Sequence, residues 1–297
     1  MVMAASGDHL AILSQAGYKQ RDPQLDVFNL SQTNDEWNQN HESNVNVGFL
    51  HLATRLALDP TRRLVWAADE NRIKSYKCAF SGSATKSLPV HTFDSGMFQG
   101  PITTLDSGSR IMRSGSGQLG VWNVEEAPTH GPRGKVIIGQ KLSRSTVEDT
   151  SRDVGDFNEI ERSAGNPADQ TVSLQPDVAR CGIRVWSPHP SDARTMLCAG
   201  SKEYRAFQLD IESGSLVTRW LGHGAYINQI STCEEEPHAF VTCAGDGVVR
   251  LYDVRQPTPS FAGFNGAEQM ETAILVQVDG LPCKWNCSLL ELYIPSI

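Results

Sequence analysis

The sequence predicts an all-β protein built from one repeated unit, and three observations predict it. Short runs of strand-forming residues recur along most of the chain, separated by turns rich in Gly, Asp, Ser and Pro. Aromatic or large apolar residues close successive units at Phe28, Tyr76, Trp122, Leu209 and Tyr252, at intervals of 48, 46, 87 and 43 residues. The best-formed unit, Gly222 to Arg255, holds Asp246-Gly247 between two apolar runs, Phe240 to Cys243 and Val248 to Tyr252. Gly accepts φ > 0 without a Cβ clash, so an Asp-Gly pair between such runs signals a hairpin.

The units follow in order. Leu10 to Ser14 and Leu25 to Phe28 are expected strands of a weak first unit, and the polar stretch Ser31 to Asn44 is expected as a loop. The second unit is clearer: Leu52 to Leu58, the turn Asp59-Pro60-Thr61, Leu64 to Ala68, a polar turn at Asp69-Glu70-Asn71, then Arg72 to Tyr76. The third has strands at Pro101 to Leu105, Ser109 to Ser114 and Leu119 to Asn123. Its turn, Gly115-Ser116-Gly117-Gln118-Leu119-Gly120, formally matches a dinucleotide fingerprint. That fingerprint needs a helix after it, so that the helix N-terminus meets the phosphate; here a strand follows, and the turn reading is preferred.

Residues 141–179 differ in character. Arg144 to Asp177 holds eight acids, three bases and few large apolar residues, with no sustained period. It is expected as a flexible acidic insertion between units, solvated, with phosphorylation or a partner motif as the alternative. Order resumes at Gly182 to Trp186, Thr195 to Ala199, Arg205 to Leu209 and Leu216 to Leu221. After Arg255, strands at Phe261 to Phe264 and Ala273 to Val278 are expected to start a sixth unit, while 279–297 is atypical. Leu289 to Ile294 is the alternative closing strand.

Composition excludes several functional classes. A net charge of −8 and a pI near 5.5 argue against direct nucleic-acid or membrane-surface binding, which needs a basic face. Seven scattered cysteines, several inside apolar runs, suggest a reducing compartment, cytoplasmic or nuclear, without a disulfide framework. No apolar run approaches the length of a membrane span. A Gly-x-Ser-x-Gly elbow, a P-loop, a His-Glu-x-x-His motif and a Cys-x-x-Cys pair are all missing. Cys283 and Cys287 stand four apart with no second pair, a weak metal signal, and His189 between Pro188 and Pro190 reads as a surface loop residue. No cofactor is expected.

Gly222-His223, three short strands and the ending Tyr252-Asp253 together resemble a blade of the WD-repeat family, with Tyr where that family has Trp. Leu209-Asp210-Ile211-Glu212-Ser213-Gly214 resembles the family's blade ending as well. Three of the four intervals fall close to the family's repeat of roughly 40–45 residues, and the long one is a repeat plus the insertion. The resemblance implies a WD-repeat β-propeller as a single domain over 1–297, with about five blades, a partial sixth and an incomplete ring. It also implies a buried structural hydrogen-bond set of His223, Thr242, Asp246 and Tyr252. The same residue types suggest a nucleophilic triad, a reading the resemblance outweighs.

Phe240 to Arg255 further resembles the DWD box of propellers that dock on the adaptor of cullin-4 ubiquitin ligases. Carried over, Asp246, Tyr252, Asp253 and Arg255 would form the adaptor-binding segment, with Arg255 offering a bidentate fork. The expected function is a non-enzymatic protein-interaction scaffold, in its sharpest form a cullin-4 ligase receptor. The alternative is a nuclear propeller reading peptides such as histone tails, with Tyr226 as its top-face contact. A propeller hydrolase and an RNA-binding factor rank below both.

Overall fold

The computed structural model describes residues 2–6, 9–15, 23–33, 36–46, 49, 53, 55–59, 61–77, 89–126, 129–138, 160–233, 236–256 and 274–277. The described strands are organised as antiparallel meanders of four. The first comprises β1 (Val2–Ser6), β2 (His9–Gln15), β3 (Pro23–Thr33) and β4 (Glu36–Asn46). The loop expected over Ser31 to Asn44 is thus mostly strand, pairing Asn29 with Asn40 and Leu30 with Gln39. An outermost strand is held through its backbone and needs no apolar alternation, so its polar sequence hid it.

The second sheet runs β5 (Arg55–Asp59), β6 (Leu64–Ala68), β7 (Arg72–Lys77) and β8 (His91–Asp94). The third begins with β9 (Ile102–Leu105), β10 (Arg110–Gly115) and β11 (Gln118–Asn123). The turn between the last two has positive φ at Ser116 and Gly117, the conformation of a tight hairpin, and a strand follows it. The phosphate-loop reading of 115–120 therefore has no helix to rest on. The chain next forms a ribbon, β12 (Ile137–Ile138) with β13 (Ile160–Glu161), and returns as β14 (Gln170–Ser173) to pair with β11.

The insertion expected between units accordingly lies inside one sheet, between its third and fourth strands. Its described part is ordered: β13, β14 and the short helix α1 (Pro176–Cys181), which starts on Pro and stops at Gly182. Residues 139–159 lie outside the described residues.

The fourth sheet is β15 (Ile183–Pro188), β16 (Thr195–Gly200), β17 (Ala206–Asp210) and β18 (Leu216–Trp220). The fifth is β19 (Ile227–Thr232), β20 (Ala239–Ala244), β21 (Val248–Asp253) and β22 (Ile274–Gln277). First strands of consecutive sheets lie side by side: β1 by β5, β5 by β9, and β15 by β19. The fold is all-β and propeller-like.

The blade count differs from the expected five and a partial sixth. Four propeller-like blades carry described cores, and the β1–β4 sheet is described chiefly by its backbone. The strand expected to open a sixth unit, near Ala273 to Val278, is β22, the outer strand of the fifth sheet. Its long connection from β21 disguised it. Phe261 to Phe264, Leu289 to Ile294 and the atypical 279–297 lie outside the described residues.

The chain packs as two compact units: Met1–Met112 with Val121–Gln170, and Arg113–Gly120 with Thr171–Ile297. In the first, Trp66, Ile73, Phe93, Ile111 and Trp122 are fully buried in one cluster. His91 and Phe93 stack on Trp66, and Phe93 stacks on Trp122. Each such side chain contributes about 1.5–3 kcal/mol by leaving water. The second unit buries Leu197, Trp220, Ile227, Phe240 and Tyr252.

The ribbon's base docks on the outer edge of β8. Thr92 N–H donates to Thr129 O at 2.7 Å, Asp94 N–H to Asn166 O at 2.7 Å, and Asn166 N–H to Thr92 O at 3.1 Å. Gly165, at φ 83°, permits this approach; a Cβ there would stand 2.7 Å from Asp94 N. Trp122 Nε1–H donates to Asn166 O. Beneath the ribbon, Lys74 Nζ pairs with Glu161 Oε2 at 2.9 Å and donates to Glu161 O at 3.0 Å, both side chains buried.

Burial alone would raise the Glu161 carboxyl, but Lys74 and the donors of Ser163 outweigh it and hold the group low. Breaking a buried ion pair by removing one partner costs about 3–5 kcal/mol. Lys74→Met is expected to lose that much in urea unfolding, and Lys74→Met with Glu161→Gln to recover most of it. Equal losses in the single and double variants would show that the pair does not hold the ribbon.

Candidate functional site

The candidate site lies on the β19–β22 sheet. The turn between β20 and β21 is closed by Gly247 N–H donating to Ala244 O, with Gly247 at φ 76°. Asp246 in this turn accepts from Val248 N–H at 3.1 Å and from Gly224 N–H at 2.8 Å. One carboxylate thereby ties the hairpin to the Gly-His loop. His223 Nδ1–H donates to Asp246 Oδ2 at 3.0 Å, which leaves Nε2 as an acceptor for the Thr242 hydroxyl at 2.6 Å.

The structure thus brings together His223, Thr242 and Asp246. Tyr252 lies against the same group: its hydroxyl donates to Leu221 O at 3.1 Å, with the Thr242 hydroxyl beside it. Its ring stacks on Phe240 at 5.1 Å and lies 6.5 Å from the His223 ring. The Asp-His-hydroxyl order matches a nucleophilic triad, but Thr242 is fully enclosed. Burial pushes Tyr252 up to about 12.

The Asp253–Arg255 pair stands apart, at the end of β21. Arg255 Nε–H donates to Asp253 Oδ1 at 2.9 Å and Nη2–H to Oδ2 at 2.7 Å. Those donors, with the backbone N–H of Arg255, lower Asp253 to about 2. The Arg255 side chain is 63 % exposed. The fork expected to reach an adaptor therefore already clasps its own neighbour along one edge.

Tyr226, just before β19, is exposed and meets the ring of Tyr204 edge-on, with centroids 4.9 Å apart. Tyr204 comes from the turn between β16 and β17. Nothing in the sequence pairs the two, because they belong to different repeats. The Lys74–Glu161 pair was equally hidden, since Glu161 stands in the acidic stretch.

A second polar cluster lies in the first unit. The Ser75 hydroxyl meets His91 Nδ1 at 2.7 Å, and His130 Nδ1 lies 3.6 Å from Glu161 Oε1. Among the described residues, no group of three or more His, Cys, Asp or Glu is placed to hold a metal ion. Cys181, Cys198, Cys233 and Cys243 form no disulfide among the described residues, and burial pushes the Cys181 thiol up to about 11. No described helix is long and apolar enough to cross a membrane. Cys283 and Cys287 lie outside the described residues. No protein-family model matches the chain, and no curated protein matches it.

Burial pulls His223, His130 and His91 below the ordinary histidine value, His91 to about 4. The unfolded chain takes up these protons near pH 6.5, the folded chain only at lower pH. Stability is therefore fully present above pH 6.5 and is lost as pH falls toward 4, with His91 alone contributing about 3 kcal/mol. Urea unfolding measured from pH 7.5 to 4, on the order of half-unit steps, is expected to show that decline. A flat profile down to pH 5 would mean that these histidines are charged in the fold.

Proposed function

We propose that this chain is a non-enzymatic protein-interaction scaffold of WD-repeat type, acting in the cytoplasm or nucleus as a substrate receptor of a cullin-4 ubiquitin ligase. The observation that carries the reading is the Asp253–Arg255 pair at the end of β21: an exposed guanidinium, held in one orientation by a carboxylate two residues back. A charged group already fixed in place loses little freedom on docking, and its outer Nη edge still points donors away from Asp253. Asp246 and Tyr252 serve this surface indirectly, by fixing the hairpin and the stack behind it.

A second reading has its own support. Tyr204 and Tyr226 place two rings edge to face, 44 % and 40 % exposed, on adjoining loops of the second unit. Rigid exposed aromatics are favoured protein contacts, because they bury much area at low entropic cost. They suit a peptide-reading surface, and in a receptor they would serve the client rather than the adaptor.

Affinity capture of the tagged wild type beside Arg255→Ala and Tyr226→Ala, read by mass spectrometry, separates the two. The cullin-4 adaptor is expected with wild type and Tyr226→Ala and lost with Arg255→Ala, while Tyr226→Ala loses client proteins. Recovery of the adaptor by none of the three removes the ligase reading. Identical partner sets for wild type and Tyr226→Ala remove the aromatic surface.

A further inference from the structure

Arg250 sits on β21 two residues before Tyr252, so the two side chains leave the same face of the sheet. Its cross-strand neighbour on that face is Thr242, the hydroxyl of the histidine set. Arg250 is 6 % exposed. Its Nε is closed off from solvent and has no acceptor. Among the described residues, no carboxylate pairs with it. Asp246 is taken by His223 and two backbone N–H groups, and Asp253 by Arg255.

A guanidinium keeps its proton at any physiological pH, so among the described residues this is a largely buried positive charge whose Nε lacks an acceptor. Proteins bury charges paired, because isolated burial is strongly unfavourable. The backbone above is shaped around the group. Gly222 adopts φ 139°, and a Cβ there would stand 3.3 Å from Arg250 Nη1, 3.4 Å from its Cδ and 3.1 Å from the Tyr252 hydroxyl oxygen. Gly222 is itself exposed, so Arg250 lies just beneath the surface rather than in the depth of the core.

We propose that Arg250, beneath the Gly222 loop, is the seat of an oxyanion, a carboxylate or phosphate group carried by a ligand of this sheet. The fork geometry of the guanidinium matches both groups, and the missing acceptor is what such a ligand supplies. The seat uses neither Arg255 nor the tyrosine pair, so it stands or falls separately from adaptor docking.

The test compares thermal unfolding of wild type, Arg250→Met and Arg250→Lys in chloride and then with added inorganic phosphate or acetate at matched ionic strength. Wild type is expected to rise saturably, on the order of 3 °C, with millimolar phosphate. Arg250→Lys is expected to respond less, because a point charge lacks the fork. Arg250→Met is expected not to respond, and to start no lower than wild type in chloride, because it removes an unpaired buried charge at similar volume. A response to acetate as well assigns carboxylate ligands, and a response to phosphate alone assigns phosphoryl groups. Equal responses in all three proteins overturn the proposal. So does an Arg250→Met protein that unfolds well below wild type or fails to fold, since the arginine would then have its partner inside the chain.

Discussion

A four-stranded meander leaves the outer backbone of its last strand without partners, and this chain's largest departure from its own repeat answers that need. The base of the insertion supplies the missing donors and acceptors along β8, through Thr129 and Asn166. An open strand edge is a template for pairing with another chain, so covering it is a condition of staying folded alone. The same segment brings Glu161 down onto Lys74. Neither charge is tolerable there by itself, so edge cover and ion pair form together or not at all. The aromatic stack of Trp66, Phe93 and Trp122 lies against this arrangement, and Trp122 is tied to the insertion by its indole N–H.

What the sequence made legible follows from where each constraint is written. Hairpin turns are local, so Asp246-Gly247 and the turn at Ser116-Gly117 stand out in the chain and in the fold alike. The second strands are buried on both faces and spell continuous apolar runs, as at Leu64 to Ala68 and Thr195 to Gly200. Outer strands carry no such pattern. β4 is rich in Asn and Glu, and β14 sits inside an acidic stretch that composition assigns to loop. Their pairing is a property of the backbone of β3 and β11, which no side-chain period reports. β22 reads as part of the next unit for a related reason: distance along the chain says nothing about which edge a strand completes.

The candidate site divides along the same line. His223, Thr242 and Asp246 were legible because each belongs to a short motif at a fixed offset from a turn. Their arrangement is explained by what it joins: the Gly-His loop, the β20–β21 hairpin and the second strand meet at one neutral imidazole. Tyr252 stands beside the Thr242 hydroxyl and donates its own to the Leu221 carbonyl, so it ties the set to the chain just before the Gly-His loop. Tyr204 was not legible. It meets Tyr226 only because two loops from separate repeats converge.

Two of the buried cations, Lys74 and Arg250, are held in different ways. Lys74 is enclosed with a carboxylate and a backbone carbonyl, and the insertion exists in its present position to provide them. Arg250 is enclosed with a glycine, a tyrosine and a histidine set whose acceptors are already engaged. A lysine in that place would have a cheaper way out, since burial lowers its pKa until it sheds the proton. An arginine cannot, so its charge persists whatever surrounds it. Among the described residues no carboxylate meets this charge, so an arginine under an exposed glycine suits a complement that arrives from outside.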